Sequence, residues 1–330
     1  MTTYQSSGRA PLSPSRRGVS ATLAGMLAIV ALTWALSLIL VGPLSYGVGL
    51  LLGGDGRGAV AIGVVCWTAS AALLLARPVE ARFARLLFKV RRPTEAELER
   101  LWPVWERTCR RAGLDERGFT LRIEDTHEFN AFALGAHFVA VTRRALELPD
   151  ELLEAVLAHE LGHHRDRHPL AATLGWWYLM PFSLLSVVLR RVRAATRALS
   201  RGFSALRRRV GHGTGGPALQ GPPGLVGMLA ILGALVLVGA LLLLVLCLLW
   251  LPLWLVTAAS RLLSAMLSRA SEFAADRHAT ELGYGDGLTR VLALFELEER
   301  HKPPRRGLAG RFASHPSCRS RIQAVQRLQG

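Results

Sequence analysis

The sequence predicts a mainly α-helical, multi-span membrane protein with about four transmembrane helices and a polar portion that carries a small β-sheet. Three observations predict it. The chain of 330 residues is 51% hydrophobic with a mean hydropathy of +0.29. Its apolar residues gather in long runs at 22–52, 59–76, 170–189 and 225–257. The polar stretches between them show helical periodicity in some places and strand-like alternation in others.

Residues 22–52, broken only by Gly42-Pro43, and residues 59–76, which carry no charge, are each long enough to cross a hydrocarbon core of roughly 30 Å. Arg9, Arg16 and Arg17 before the first run resemble the basic start of a signal peptide. The run is too long for that and a second span follows at once, so it reads as an uncleaved anchor. After the second span, residues 77–92 carry six basic side chains against the single acid Glu80, whereas the loop 53–58 offers only Asp55 and Arg57. By the positive-inside rule, the N-terminus and the segment after Arg77 face the cytoplasm.

The polar segment 77–168 then reads as a soluble insert. Thr94 with Glu97 three residues on forms a capping box, and Gly113 closes the helix it starts. "FTLRIEDT" and "FVAVT" read as short strands, with "NAFALGAH" between them supplying a turn at Gly135. In "LPDELLEAVLAHELGHHRDRHP", Pro149 and the acids Asp150, Glu151 and Glu154 suit a first turn. Leu153, Leu157 and Leu161 recur every four residues and Pro169 ends the pattern, predicting a helix over 150–168.

Residues 190–224 hold eight arginines and no acid. Arg190, Arg193, Arg197 and Arg201 follow helical spacing, with Val192, Leu199, Phe203, Leu206 and Val210 on another face. Such a basic amphipathic helix suits an anionic lipid surface. The net charge of +16 is carried almost wholly by arginine, Lys89 and Lys302 being the only lysines. Many of these arginines flank membrane segments and no base-reading motif accompanies them, so nucleic acid is not an expected partner. Cys66, Cys109, Cys247 and Cys318 are far apart and imply neither a disulfide framework nor a metal-binding pair.

The chemistry sits in the helix 150–168. His159 and His163, four apart, project from one face and can share a metal ion. Glu160 is placed to reach a water on that metal, the HExxH arrangement in which the glutamate is the general base of metal-assisted hydrolysis. His164 and His168 repeat the spacing on a rotated face and read as ordinary surface histidines. A catalytic zinc needs a third protein ligand. "SEFAAD" offers Glu272 for it and, one turn on, Asp276 to hold the distal nitrogen of a ligand histidine.

HELGH followed about a hundred residues later by EFAAD resembles the integral-membrane zinc metallopeptidases typified by HtpX and the CAAX prenyl endopeptidase. "NAFALG" at Asn130–Gly135 is similar to the family's Asn-Ala-Phe-Ala segment, and "SHPSCRSRI" to its C-terminal His-Pro motif, with Arg321 six residues after His315. Phe273 stands where tyrosine is commoner. The resemblance implies a gluzincin-like domain binding one Zn2+. It makes Asn130, Ala131, Phe132 and Ala133 an edge strand that pairs with polypeptide substrates. It puts His315 at the mouth of the site, as oxyanion donor or as a latent fourth ligand.

The expected division is a flexible tail at 1–21 and two spans within 22–76, then a first peptidase part at 77–168. A membrane hairpin at 169–257 contains the basic linker 190–224, and the second peptidase part is 258–330. His159 and Glu272 must meet on one side of the bilayer, so the chain between them crosses it an even number of times. Two straight crossings satisfy the backbone but place the eight arginines outside, against the positive-inside rule; two re-entrant segments keep them inside at the cost of unpaired polar groups. The four-crossing arrangement is the expectation.

The resulting reading is a zinc endopeptidase of the cytoplasmic membrane acting on membrane or misfolded proteins, with a CAAX-type processing protease and a non-catalytic scaffold holding a structural metal as alternatives. An intramembrane protease is disfavoured by the charges of 150–168.

Overall fold

Both N-terminal apolar runs are helical in the computed structural model, which describes residues 16–211, 265–266, 268–300 and 316–330 and the single positions 233, 237, 239, 254 and 258. The tail before residue 16, the breaker 212–224 and most of the fourth apolar run lie outside the described residues. Helix α1 spans Arg16–Leu51 and α2 spans Gly56–Leu73. Asp55 starts α2 earlier than the hydropathy alone indicated, because its carboxylate accepts the amides of Arg57 and Gly58 at 3.0 and 2.8 Å.

The two helices run antiparallel. Trp34 Nε1 donates to Thr68 Oγ1 at 2.9 Å and Trp67 Nε1 to Ser37 Oγ at 2.8 Å, which pairs indole and hydroxyl groups across the two helices. Among the described residues, Ala24–Leu51, Gly56–Leu73 and His168–Gly202 are long and apolar enough to cross a membrane.

Helix α3, Arg77–Phe88, begins with Pro78 in its first turn and ends where Lys89 turns left-handed at φ 54°. It leads to a four-stranded sheet of β1 Val90–Arg91, β2 Thr120–Glu124, β3 Ala131–Leu134 and β4 Phe138–Thr142. The order is β1-β2-β4-β3; β2 and β4 are parallel, the other pairs antiparallel.

Strand β4 is buried along its whole length, as its apolar run requires, and β3 is an edge. "NAFALGAH" is therefore half strand, Ala131–Leu134, where the residues alone suggest only a turn. The turn covers residues 135–137 and opens on Gly135 at φ 57°, where a Cβ would strike the Glu80 carboxylate. Glu80 also accepts the His137 amide at 3.1 Å, and burial pushes its carboxyl pKa up.

Helix α4, Glu95–Ala112, has the expected capping box and a left-handed Gly113. It lies against α5, Asp150–Arg165, through Arg107, which pairs with Asp150 and Glu154 at 2.6 Å each. Beneath these charges Leu101, Val104 and Trp105 of α4 pack with Leu153, Leu157 and Leu161 of α5 and with Ile123, Val139 and Val141 of the sheet. The other side of α5 buries Ala155 and Ala158 against helices α7 (268–281), α8 (Gly285–Arg300) and α9 (Cys318–Gln329), with Ala279, Leu288, Leu292 and Val325 in the seam.

Helix α6 runs without interruption over His168–Gly211. This corrects two expectations. The predicted helix 150–168 stops at Arg165, because Arg167 is left-handed at φ 54°, and Pro169 sits in the first turn of the next helix, where its missing N–H costs nothing. The apolar run 170–189 and the basic stretch to residue 211 are one helix, since no breaker separates Leu189 from Arg190.

Residues 1–178 with 260–330 form one compact unit, and 179–259 form a second. The described part of the second is chiefly the later portion of α6, with Arg190, Arg191, Arg197 and Arg201 exposed.

Candidate metal centre and substrate cleft

Helical spacing puts His159 and His163 on one face of α5, their ring centroids 4.7 Å apart. Helix α7 brings Glu272 to that face, its Oε2 lying 3.5 Å from His159 Nε2 and its Oε1 3.4 Å from His163 Nε2. The three residues are buried, and one donor atom from each falls within 4.8 Å of the others. Zinc bonds of about 2.0–2.1 Å in tetrahedral geometry put neighbouring donors about 3.3 Å apart, so this set fits zinc. Two imidazoles and one carboxylate also match the donor preferences of that metal.

Each imidazole is oriented through its other nitrogen. His159 Nδ1 lies 2.9 Å from Asp276 Oδ1, and His163 Nδ1 lies 3.1 Å from Ser271 Oγ. In the neutral rings that metal binding requires, donation from both Nδ1 atoms leaves both Nε2 lone pairs facing Glu272. Burial and the Arg321 charge oppose protonation of His159, but its contacts with Asp276 and Glu272 outweigh them and lift its pKa to about 9. Burial likewise opposes ionisation of Asp276, and Arg321 and His159 overcome it, holding the carboxyl below its ordinary range.

Arg321 comes from α9. Its Nε and Nη2 donate to Asp276 at 2.8 and 2.6 Å, and its Nη1 lies 2.8 Å from Glu272 Oε2.

The donor set opens into a cleft of about 510 Å3. Glu160 lines it beside the imidazoles; the edge strand forms one wall; Leu288, Val291, Leu292 and Phe295 of α8 form another. The Phe129 amide donates to Glu298 at 3.3 Å, tying the approach to β3 onto α8. Of the sequence-derived site residues, His159, Glu160, His163, Glu272, Arg321 and Asn130–Ala133 thus line one cleft, with Asp276 directly behind His159. The strand begins at Ala131, one residue later than expected, and Asn130 is held at its entrance by Thr142. His315 lies outside the described residues.

The surface reading of His164 and His168 is corrected. His164 Nε2 donates to the Phe138 carbonyl at 3.0 Å, and His168 lines the cleft. Two contributors had no assigned part in the sequence. Ser271 holds His163, and Gly162 lets α7 approach α5 so closely that a Cβ there would lie 2.7 Å from Ala275 Cα. Their only signals were adjacency, Ser271 beside Glu272 and Gly162 inside HELGH.

Residues 95–329 match the family model described as peptidase family M48. The chain belongs to that family. M48 peptidases are zinc-dependent metallopeptidases, and with its candidate spans this M48 peptidase is a membrane protein. No curated protein matches it. Among solved structures it is similar to the crystal structure of S. mikatae Ste24p, at 20% identity and a TM-score of 0.43, over 86% of this chain. The aligned region spans 63% of that chain's length, and a likeness of this degree carries no argument about the present M48 member.

Proposed function

We propose that the chain is a zinc-dependent endopeptidase that hydrolyses membrane or misfolded proteins at the cytoplasmic face of the cell membrane. The observation that carries this reading is the convergence of His159 Nε2, His163 Nε2 and the Glu272 carboxylate at the floor of a cleft walled by a free strand edge.

His159, His163 and Glu272 would hold the zinc, with Asp276 and Ser271 fixing the imidazoles. When bound, zinc supplies Lewis acidity to the scissile carbonyl and makes a water easier to deprotonate. Glu160 takes the proton of the attacking water and returns it to the leaving amine. Glu160, lining the same cleft beside the three donors, supports catalysis over a structural metal.

Strand β3 orients the substrate. Asn130 accepts the Thr142 amide, so alternation directs Phe132 and Leu134 toward β4 and turns the backbone groups of Ala131 and Ala133 to the free edge. A substrate backbone adds there as a further strand, a recognition mode that reads extended chain with little regard to sequence.

The parts 77–168 and 258–330 make up the peptidase domain, joined by the membrane hairpin 169–257. The cationic flank after the second span supports the cytoplasmic orientation. The arginines of α6 suit anionic lipids, each gaining roughly 1 kcal/mol near such a surface.

The test is casein cleavage by detergent-solubilised protein. The parent is expected to cleave and Glu160→Gln, at equal zinc content, to be inactive; equal rates would refute the assigned base.

A further inference from the structure

We propose that Arg321 is a positioning residue that occupies one oxygen of Glu272, so that this ligand presents a single oxygen to the metal and a coordination position stays open. The inference rests on the metallopeptidase reading and concerns a question that reading leaves unanswered: how a carboxylate with two oxygens is kept from taking two positions.

A carboxylate bound through both oxygens gives a two-imidazole zinc centre four protein donor atoms, so that with its water the metal is five-coordinate and no position is left open for the substrate carbonyl. The two Glu272 oxygens are not equivalent here. Oε1 faces His163 Nε2 at 3.4 Å, whereas Oε2 has the Arg321 Nη1 cation at 2.8 Å, closer than any imidazole nitrogen.

Arg321 is in turn fixed. It is 7% exposed, and its Nε and Nη2 are committed to the two oxygens of Asp276. Asp276 is itself held by His159 Nδ1 at 2.9 Å. A planar guanidinium is suited to this task because its rigid fork donates to both oxygens of Asp276 and thereby holds the Nη1 charge in an ion pair with Glu272 Oε2, while an ammonium would act as a point charge. The same contacts link Glu272 and His159 through one side chain of α9, so the C-terminal helix belongs to the metal centre although it supplies no ligand.

The experiment strips the full-length, detergent-solubilised protein of metal and reloads it with Co2+, whose visible bands are intense in four-coordinate sites and weak in five-coordinate ones; zinc, with a filled d shell, gives no such signal. The parent is expected to bind one cobalt per chain with intense bands. Arg321→Met is expected to bind one cobalt per chain and to lose most of that intensity, as Glu272 closes on the metal with both oxygens.

A variant that binds one cobalt with the parent's spectrum would overturn the proposal. So would weak, five-coordinate bands in the parent itself, a result that needs no variant to fold. If the parent takes up no cobalt or zinc, the metal-site reading fails and this inference with it. Cobalt binding with unaltered spectra overturns the inference alone.

Discussion

Gly162 of α5 lies directly against Ala275 of α7, leaving no space for a side chain between the helix that carries the two histidines and the helix that carries Glu272. A Cβ at Gly162 would also meet Ala275 Cβ and its carbonyl oxygen at 3.1 Å, so backbone, not a flexible side chain, has to move. The spacing between the metal ligands is set by this contact.

Gly162→Ala is therefore expected to push α7 outward. Overpacking of this kind costs about 1–3 kcal/mol, and the displaced Glu272 weakens metal binding as well. Thermal melts and zinc titrations of the purified variant check both effects. An unchanged melting temperature with parental zinc affinity would show that the contact does not set the spacing.

The orienting contacts make a graded prediction. Asp276→Asn keeps the shape but replaces an oxygen that accepts from His159 and from Arg321, and zinc affinity is expected to fall about 10- to 100-fold. Ser271→Ala removes one neutral hydrogen bond to His163, worth about 1 kcal/mol, and is expected to have the smaller effect. Competition with a fluorescent chelator measures each constant, and the reverse ranking would contradict the geometry.

Residues Ala131 and Ala133 separate substrate pairing from sheet integrity. Ala133→Pro removes an N–H from the free edge without touching the ladder to β4, a place where proline is tolerated. The loss of one substrate hydrogen bond predicts a fall in kcat/KM of about tenfold with zinc content unchanged. Casein kinetics check it, and a variant as fast as the parent would argue against strand addition.

His278 gives the pH dependence its sign. Burial, together with the Arg165 charge, lowers its pKa to about 4, and its Nδ1 receives the Arg165 guanidinium at 2.8 Å, which requires the neutral ring. In the unfolded chain the group titrates at about 6.5. Between those values the unfolded state binds more protons, so stability present above pH 6.5 is lost as pH falls toward 4. Melting curves across that range are expected to decline for the parent and less steeply for His278→Gln, since His164, whose pKa burial also lowers to about 4, keeps part of the slope; parallel curves would contradict the assignment.

Much of the site was legible because its signals are local. HExxH needs only the 3.6-residue period to place two imidazoles together, and Thr94 with Glu97 announces a helix start within one turn. What was not legible depends on distant contacts. Arg321 is 45 residues from Asp276, and nothing along the chain shows that its donors reach both Asp276 and Glu272. The boundary between α5 and α6 departs from the expected helix 150–168 for a different reason. Proline stops a helix in its interior yet suits its first turn, and only the left-handed Arg167 decides which applies at Pro169.

The central claim is that His159, His163 and Glu272 share one metal ion, and anomalous scattering at the zinc edge from crystals of the full chain tests it most directly. The account predicts a single peak about 2.0–2.1 Å from both Nε2 atoms and from one oxygen of Glu272. A peak bound by the imidazoles alone, or one centred away from α5 altogether, would contradict it.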